Sequence, residues 1–95
     1  MAKVVDDMLK TLEKSLDLLE HFTEETPSWG VRELAKKMGL SHSIVYRILV
    51  TYKKKGFLRQ NPETKKYELD LKFWGFGCLV QDQMKITEAI YPVIE

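Results

Sequence analysis

Ser41, His42 and Ser43, followed at helical spacing by Tyr46, Arg47, Val50, Thr51 and Lys54, place hydroxyls, an imidazole, a guanidinium and an ammonium along one short stretch. Arg59, Lys65 and Lys66 add three cations further on. Spaced along one helix face and a basic segment, these groups suit recognition. Hydroxyls and free backbone N–H groups at a helix start suit phosphate oxygens, and a guanidinium fork either bonds guanine O6 and N7 or clamps one phosphate. Both readings stay open for Arg47. Ser41 is read as a cap or a phosphate contact, whereas Ser43 points away from the expected core and is read as a DNA contact. Tyr46 either lines a groove wall or is an ordinary exposed helix tyrosine. Arg59, Lys65 and Lys66 are read as phosphate contacts, each adding salt sensitivity through counterion release, or as solvated surface charge.

Catalysis is not expected from the remaining inventory. His21 and His42 lack the spacing of a metal pair, Cys78 has no nearby histidine in sequence, and no glycine-rich phosphate loop is present. No metal and no cofactor are therefore expected. A single cysteine excludes an internal disulfide framework, which fits a reducing compartment, and the cytoplasm is the expected location. Charges scattered through residues 1–20 leave no stretch for a secretory signal, and the apolar run from Phe73 to Val80 is too short to cross a bilayer.

The chain of 95 residues has room for one core. Its formal charge of +1 hides an asymmetry: residues 1–30 hold 3 basic and 7 acidic side chains, residues 31–72 hold 11 and 4, and residues 73–95 hold 1 and 3. A localised basic excess is the footprint expected of phosphate binding, and a solvated basic face is the plainer reading.

Elements must position these groups. Val5, Met8, Leu9, Leu12, Leu16 and Leu19 give a first helix between Val4 and Thr23 with one apolar stripe. Leu18 and Phe22 lie about 100° to one side of it and form an edge free for a partner. After the breakers Thr26, Pro27, Ser28 and Gly30, the spacing of Val31, Leu34, Ala35 and Met38 predicts a short second helix. Gly39 suits its left-handed end, and Ser41 caps a third helix over about 41–55 with Val45, Ile48, Leu49 and Tyr52 buried. The period then changes, and residues 57–69 predict a β-hairpin around an Asn61–Lys65 loop. A helix over 70–83 and another from near Ile86 complete the chain. The expected fold class is mainly α with a small β-hairpin: a winged helix-turn-helix over residues 1–69, with a C-terminal linker helix in 70–95. In that arrangement the third helix enters the major groove of double-stranded DNA and the hairpin reaches the flanking backbone.

Arg32-Glu-Leu-Ala-Lys-Lys-Met-Gly-Leu40, Ser41-His-Ser-Ile-Val-Tyr-Arg-Ile-Leu49, Gly56-Phe-Leu58 and Asn61-Pro-Glu-Thr-Lys-Lys-Tyr-Glu-Leu69 together resemble the DNA-binding domain of IclR-type transcriptional regulators. Thr11-Leu-Glu-Lys-Ser-Leu-Asp-Leu-Leu-Glu20 resembles that family's first helix, so the likeness covers roughly residues 11 to 80. It implies a bacterial or archaeal regulator that binds operator DNA as a homodimer, with small-molecule sensing in a C-terminal domain that begins where these residues end. It also implies that Phe73, Trp74, Phe76 and Leu79 belong to a linker helix packed on the partner subunit, with Leu18 and Phe22 as their counterpart. The family's turn usually reads Pro-Lys-Ser-Thr. Here Ser43 and Arg47 match the pattern but the Lys and Thr do not, and neutral His42 in place of the constant cation is expected to weaken a backbone contact and to make binding depend on pH. The reading from a different class is a winged-helix module that meets an acidic protein surface through Tyr46, Val50 and the lysines and does not bind DNA.

Overall fold

In the computed structural model, which describes residues 2–84, the elements run α1 (Ala2–Leu19), β1 (Ser28–Trp29), α2 (Val31–Met38), α3 (His42–Lys54), β2 (Leu58–Gln60), β3 (Tyr67–Leu69) and α4 (Leu71–Met84). The expected helix from near Ile86 lies outside the described residues. α2 and α3 bury the stripes their spacing predicts: Leu34 and Ala35 from one, Val45, Ile48 and Leu49 from the other, with Val31, Met38 and Tyr52 packed around them. Leu58 and Tyr67 close the core from the sheet side.

The wing is a three-stranded antiparallel sheet of order β1-β3-β2 rather than a lone hairpin. Trp29 pairs with Tyr67, and Arg59 with Glu68. β1 is two residues long between Pro27 and Gly30, too short to show the alternation that marks a strand in sequence. Its Trp29 indole N–H donates to the His21 carbonyl at 2.8 Å, which fixes the loop that follows α1.

α1 reverses the expectation for its apolar residues. Leu18 is fully buried and Phe22 is in the core cluster, so these two side chains are not free for a partner. The stripe Val5, Met8, Leu9, Leu12 and Leu16 is instead about half exposed along its length. The cause is that only the last turn of α1 and the loop beyond it reach the core. Phe22 also lies past the helix end at Leu19, so a helical projection misplaces it. In α4, Phe73 faces inward, with its ring 5.1 Å from that of Phe57. Its role is to anchor the helix within the subunit. Trp74, Phe76 and Leu79 remain exposed.

Candidate nucleic-acid interface

The turn between α2 and α3 is built from the two residues whose types predict it. Gly39 adopts φ 69° and ψ 30°, the left-handed region that ends α2, and the Leu40 N–H donates back to the Ala35 carbonyl at 3.0 Å. Ser41 is extended, and its Oγ accepts the Ile44 N–H at 3.2 Å. Its acceptor is thus committed to capping, while the N–H groups of His42 and Ser43 belong to the first turn, which has no intrahelical acceptors.

α3 presents Ser43, Tyr46, Arg47, Thr51 and Lys54 to solvent, and Val50 half-buried. These residues divide into two neighbourhoods. His42 and Tyr46 line one cleft together with Arg32 and Glu33 of α2 and Gln60, Thr64, Lys65 and Lys66 of the wing. Arg47 and Thr51 face the other way, along a groove they share with Met8, Thr11, Leu12 and Ser15 of α1. The Thr51 hydroxyl donates to the Arg47 carbonyl at 2.7 Å, a bond within the helix that leaves the guanidinium free of it.

The wing loop is fixed by its own polar groups. The Asn61 side-chain oxygen accepts the N–H groups of Glu63 at 2.8 Å and Thr64 at 3.1 Å, and Lys65 takes φ 67° so that the chain can turn back. Lys66 then reaches toward Glu33 of α2, with Nζ 3.6 Å from Oε2. Glu33's other oxygen accepts the Gly30 N–H at 3.0 Å. That backbone hydrogen bond, and after it the charge of Lys66, hold the Glu33 carboxyl below the usual carboxylate range. Beneath the cleft, burial pushes the Tyr67 phenol above its usual value, with Tyr46 contributing.

Arg59 is placed apart from Lys65 and Lys66. Alternation along β2 turns it away from Leu58 and Gln60, into a cleft with Phe22, Glu24 and Pro27, where its Nε donates to Glu68 Oε1 at 3.0 Å. Arg32 was not legible as a site residue. Its spacing marks it only as solvent-facing on α2, and its neighbours in the cleft come from the wing, some 30 positions later in the sequence. Among the described residues no cluster of three or more His, Cys, Asp or Glu side chains is placed to hold a metal ion. No described helix is long and apolar enough to cross a membrane.

The family model for the IclR helix-turn-helix domain matches residues 11–62. The chain belongs to the IclR helix-turn-helix family. It is 31% identical over 81 residues to the HTH-type transcriptional regulator XynR of Escherichia coli, covering 85% of this chain and 32% of that protein. To the HTH-type transcriptional regulator KipR of Bacillus subtilis it is 35% identical over 86 residues, covering 90% and 34%. The crystal structure of an IclR family transcriptional regulator from Brucella abortus superposes with a TM-score of 0.74 at 29% identity, over 86% of this chain and 31% of that one. A putative IclR regulator from Silicibacter gives a TM-score of 0.79 at 25% identity, over 87% and 33%. The chain therefore spans about a third of the length of the relatives it matches. Those relatives are transcriptional regulators rather than enzymes, and the IclR-family domain carried here is of the DNA-binding helix-turn-helix class.

Proposed function

We propose that this IclR-family domain binds operator DNA as a homodimer, with α3 in the major groove and the wing on the flanking backbone. The observation that carries this reading is the cleft in which His42 and Tyr46 of α3 meet Arg32 of α2 and Lys65 and Lys66 of the wing. Side chains from three elements converge on one surface that a phosphate backbone can follow, beside the first turn of α3 with its unpaired N–H groups. Ser43, Val50 and Lys54 extend along α3 toward base edges and backbone, and Arg47 and Thr51 reach them from the neighbouring face beside α1. Arg59, already paired with Glu68 on the other side of β2, must exchange that partner to reach a phosphate.

The second copy meets the apolar surface that one subunit leaves open. That surface is the α1 stripe Val5, Met8, Leu9, Leu12 and Leu16 together with Trp74, Phe76 and Leu79 of α4, of which Trp74 is 73% exposed. Large apolar side chains exposed in rows of this kind are the usual mark of an interaction site. Residues 70–95 act as the linker, and a small-molecule effector acts through a C-terminal domain of the full-length regulator, in the cytoplasm.

The test is fluorescence anisotropy of a labelled duplex titrated with the chain at two salt concentrations, beside Arg47→Ala and Lys65→Ala. Affinity should fall steeply with salt, and Lys65→Ala should make the salt slope shallower. Absence of duplex binding by a covalently linked dimer at low salt would reject the reading in favour of a protein-contact module.

A further inference from the structure

Among the described residues that line the cleft between α3 and the wing, Glu33 carries the only carboxylate. A negative charge on a surface offered to phosphates repels them, so its presence needs a cause. Capping accounts for part of it, because the carboxylate accepts the Gly30 N–H and a negative charge suits the first turn of α2. Gly30 has no side-chain acceptor, so only the Glu33 half of a capping box is made, and glutamine keeps that hydrogen bond in its weaker, uncharged form. The charge also acts on Lys66, 3.6 Å from the oxygen that Gly30 leaves free.

Both ends of this pair are anchored. Glu33 is held by the Gly30 N–H at the start of α2. Lys66 sits at the root of the wing, where its carbonyl accepts the Asn61 N–H at 2.8 Å and its own N–H donates to the Thr64 hydroxyl at 3.2 Å. Yet the two side chains are 54% and 42% exposed, so water and salt reach the pair and it can exchange partners.

We propose that Glu33 is a specificity-determining residue: its carboxylate tethers Lys66 and keeps this wing cation off phosphates except where α3 is seated in register on its operator. The inference rests on the DNA-binding reading above. Sequence-independent binding is governed by the number of cations free to displace counterions from the duplex. With Lys66 held by Glu33, a loosely bound duplex is met by one cation fewer. On the operator, base contacts fix the register, a phosphate stays beside the wing, and Lys66 exchanges Glu33 for it.

The experiment uses the 95-residue chain, a duplex enriched by that chain from a randomised pool, and mixed-sequence genomic DNA as the second probe. Salt slopes are measured for the wild type, Glu33→Gln, Lys66→Gln and the double variant. Glu33→Gln keeps the hydrogen bond to Gly30 and removes the charge. On mixed-sequence DNA its slope should steepen by about 0.9, the increment for one added phosphate contact, while the slope on the enriched duplex stays unchanged. At low salt the preference for the enriched duplex should fall by roughly threefold or more, on the scale of that one contact across a fourfold salt range. The double variant should lose the effect. A wild-type slope on mixed-sequence DNA in Glu33→Gln, or an equal change on both probes, would overturn the inference while leaving DNA binding intact. Failure of a covalently linked wild-type dimer to bind either probe at low salt would overturn both.

Discussion

The Tyr52 phenolic hydroxyl donates to the Ser15 backbone carbonyl at 2.9 Å, so one side chain of α3 holds α1 across 37 positions of sequence. Tyr52 also packs edge-on against Phe57, with ring centroids 6.0 Å apart, and Phe57 in turn touches Phe73 and Phe76 of α4. α3, the helix proposed to enter the major groove, is thereby linked to both helices that leave apolar surface open. Removing only the hydroxyl, in Tyr52→Phe, should cost about 0.5–1.5 kcal/mol, the net worth of such a bond. Urea unfolding at fixed protein concentration measures it, and an unchanged midpoint would mean that the ring packing alone holds α1.

Two leucines of α1 should behave in opposite ways. Leu18→Ala empties a fully buried site and should destabilise the fold by about 2–5 kcal/mol. Leu12→Ala, at a position 53% exposed, should leave the subunit's own unfolding nearly unchanged and weaken self-association instead. Mass-resolved chromatography across a concentration series separates the two effects. A dimer equally tight in Leu12→Ala would remove the α1 stripe from the interface.

Lys65 is the only non-glycine residue with positive φ among the described residues, at 67°. Lys65→Gly relieves that backbone conformation, which costs a residue with a side chain about 1 kcal/mol or more, and removes a cation from the cleft at the same time. Thermal stability should hold or rise while the salt slope of DNA binding becomes shallower. A loss of both would mean that the lysine side chain holds the wing in shape.

Two groups give stability a pH dependence of opposite sign. The Glu33 carboxyl is held low in the fold, by the Gly30 hydrogen bond first and Lys66 second. Its contribution is present above the unfolded carboxylate value and is lost as pH falls through the folded one. The Tyr67 phenol is pushed up by burial, so its contribution is present below the unfolded phenol value and is lost as pH rises through the folded one. Unfolding midpoints across pH should show less acid sensitivity in Glu33→Gln and less alkaline sensitivity in Tyr67→Phe. Midpoints that track the wild type at both extremes would assign the pH dependence to other groups.

Local pattern determined much of this protein. The stripes of α2 and α3, the left-handed turn at Gly39, the cap at Ser41 and the Asn61–Lys65 loop all follow from residue types within a few positions of one another, because helix period, φ preference and side-chain capping act at short range. The family was legible for the same reason: its motifs lie in that continuous stretch. Three features were decided only by tertiary structure. β1 exists because β3 supplies hydrogen bonds to a pair of residues too few to declare a strand alone. The apolar stripe of α1 lies outside and Leu18 inside, because periodicity shows that a helix has an apolar face but not whether its own subunit or another covers it. Arg32 joins Lys65 and Lys66, while Arg59 turns away to Glu68, because the sheet and the α2 cap set which cations share a surface, and spacing along the chain carries no record of that meeting.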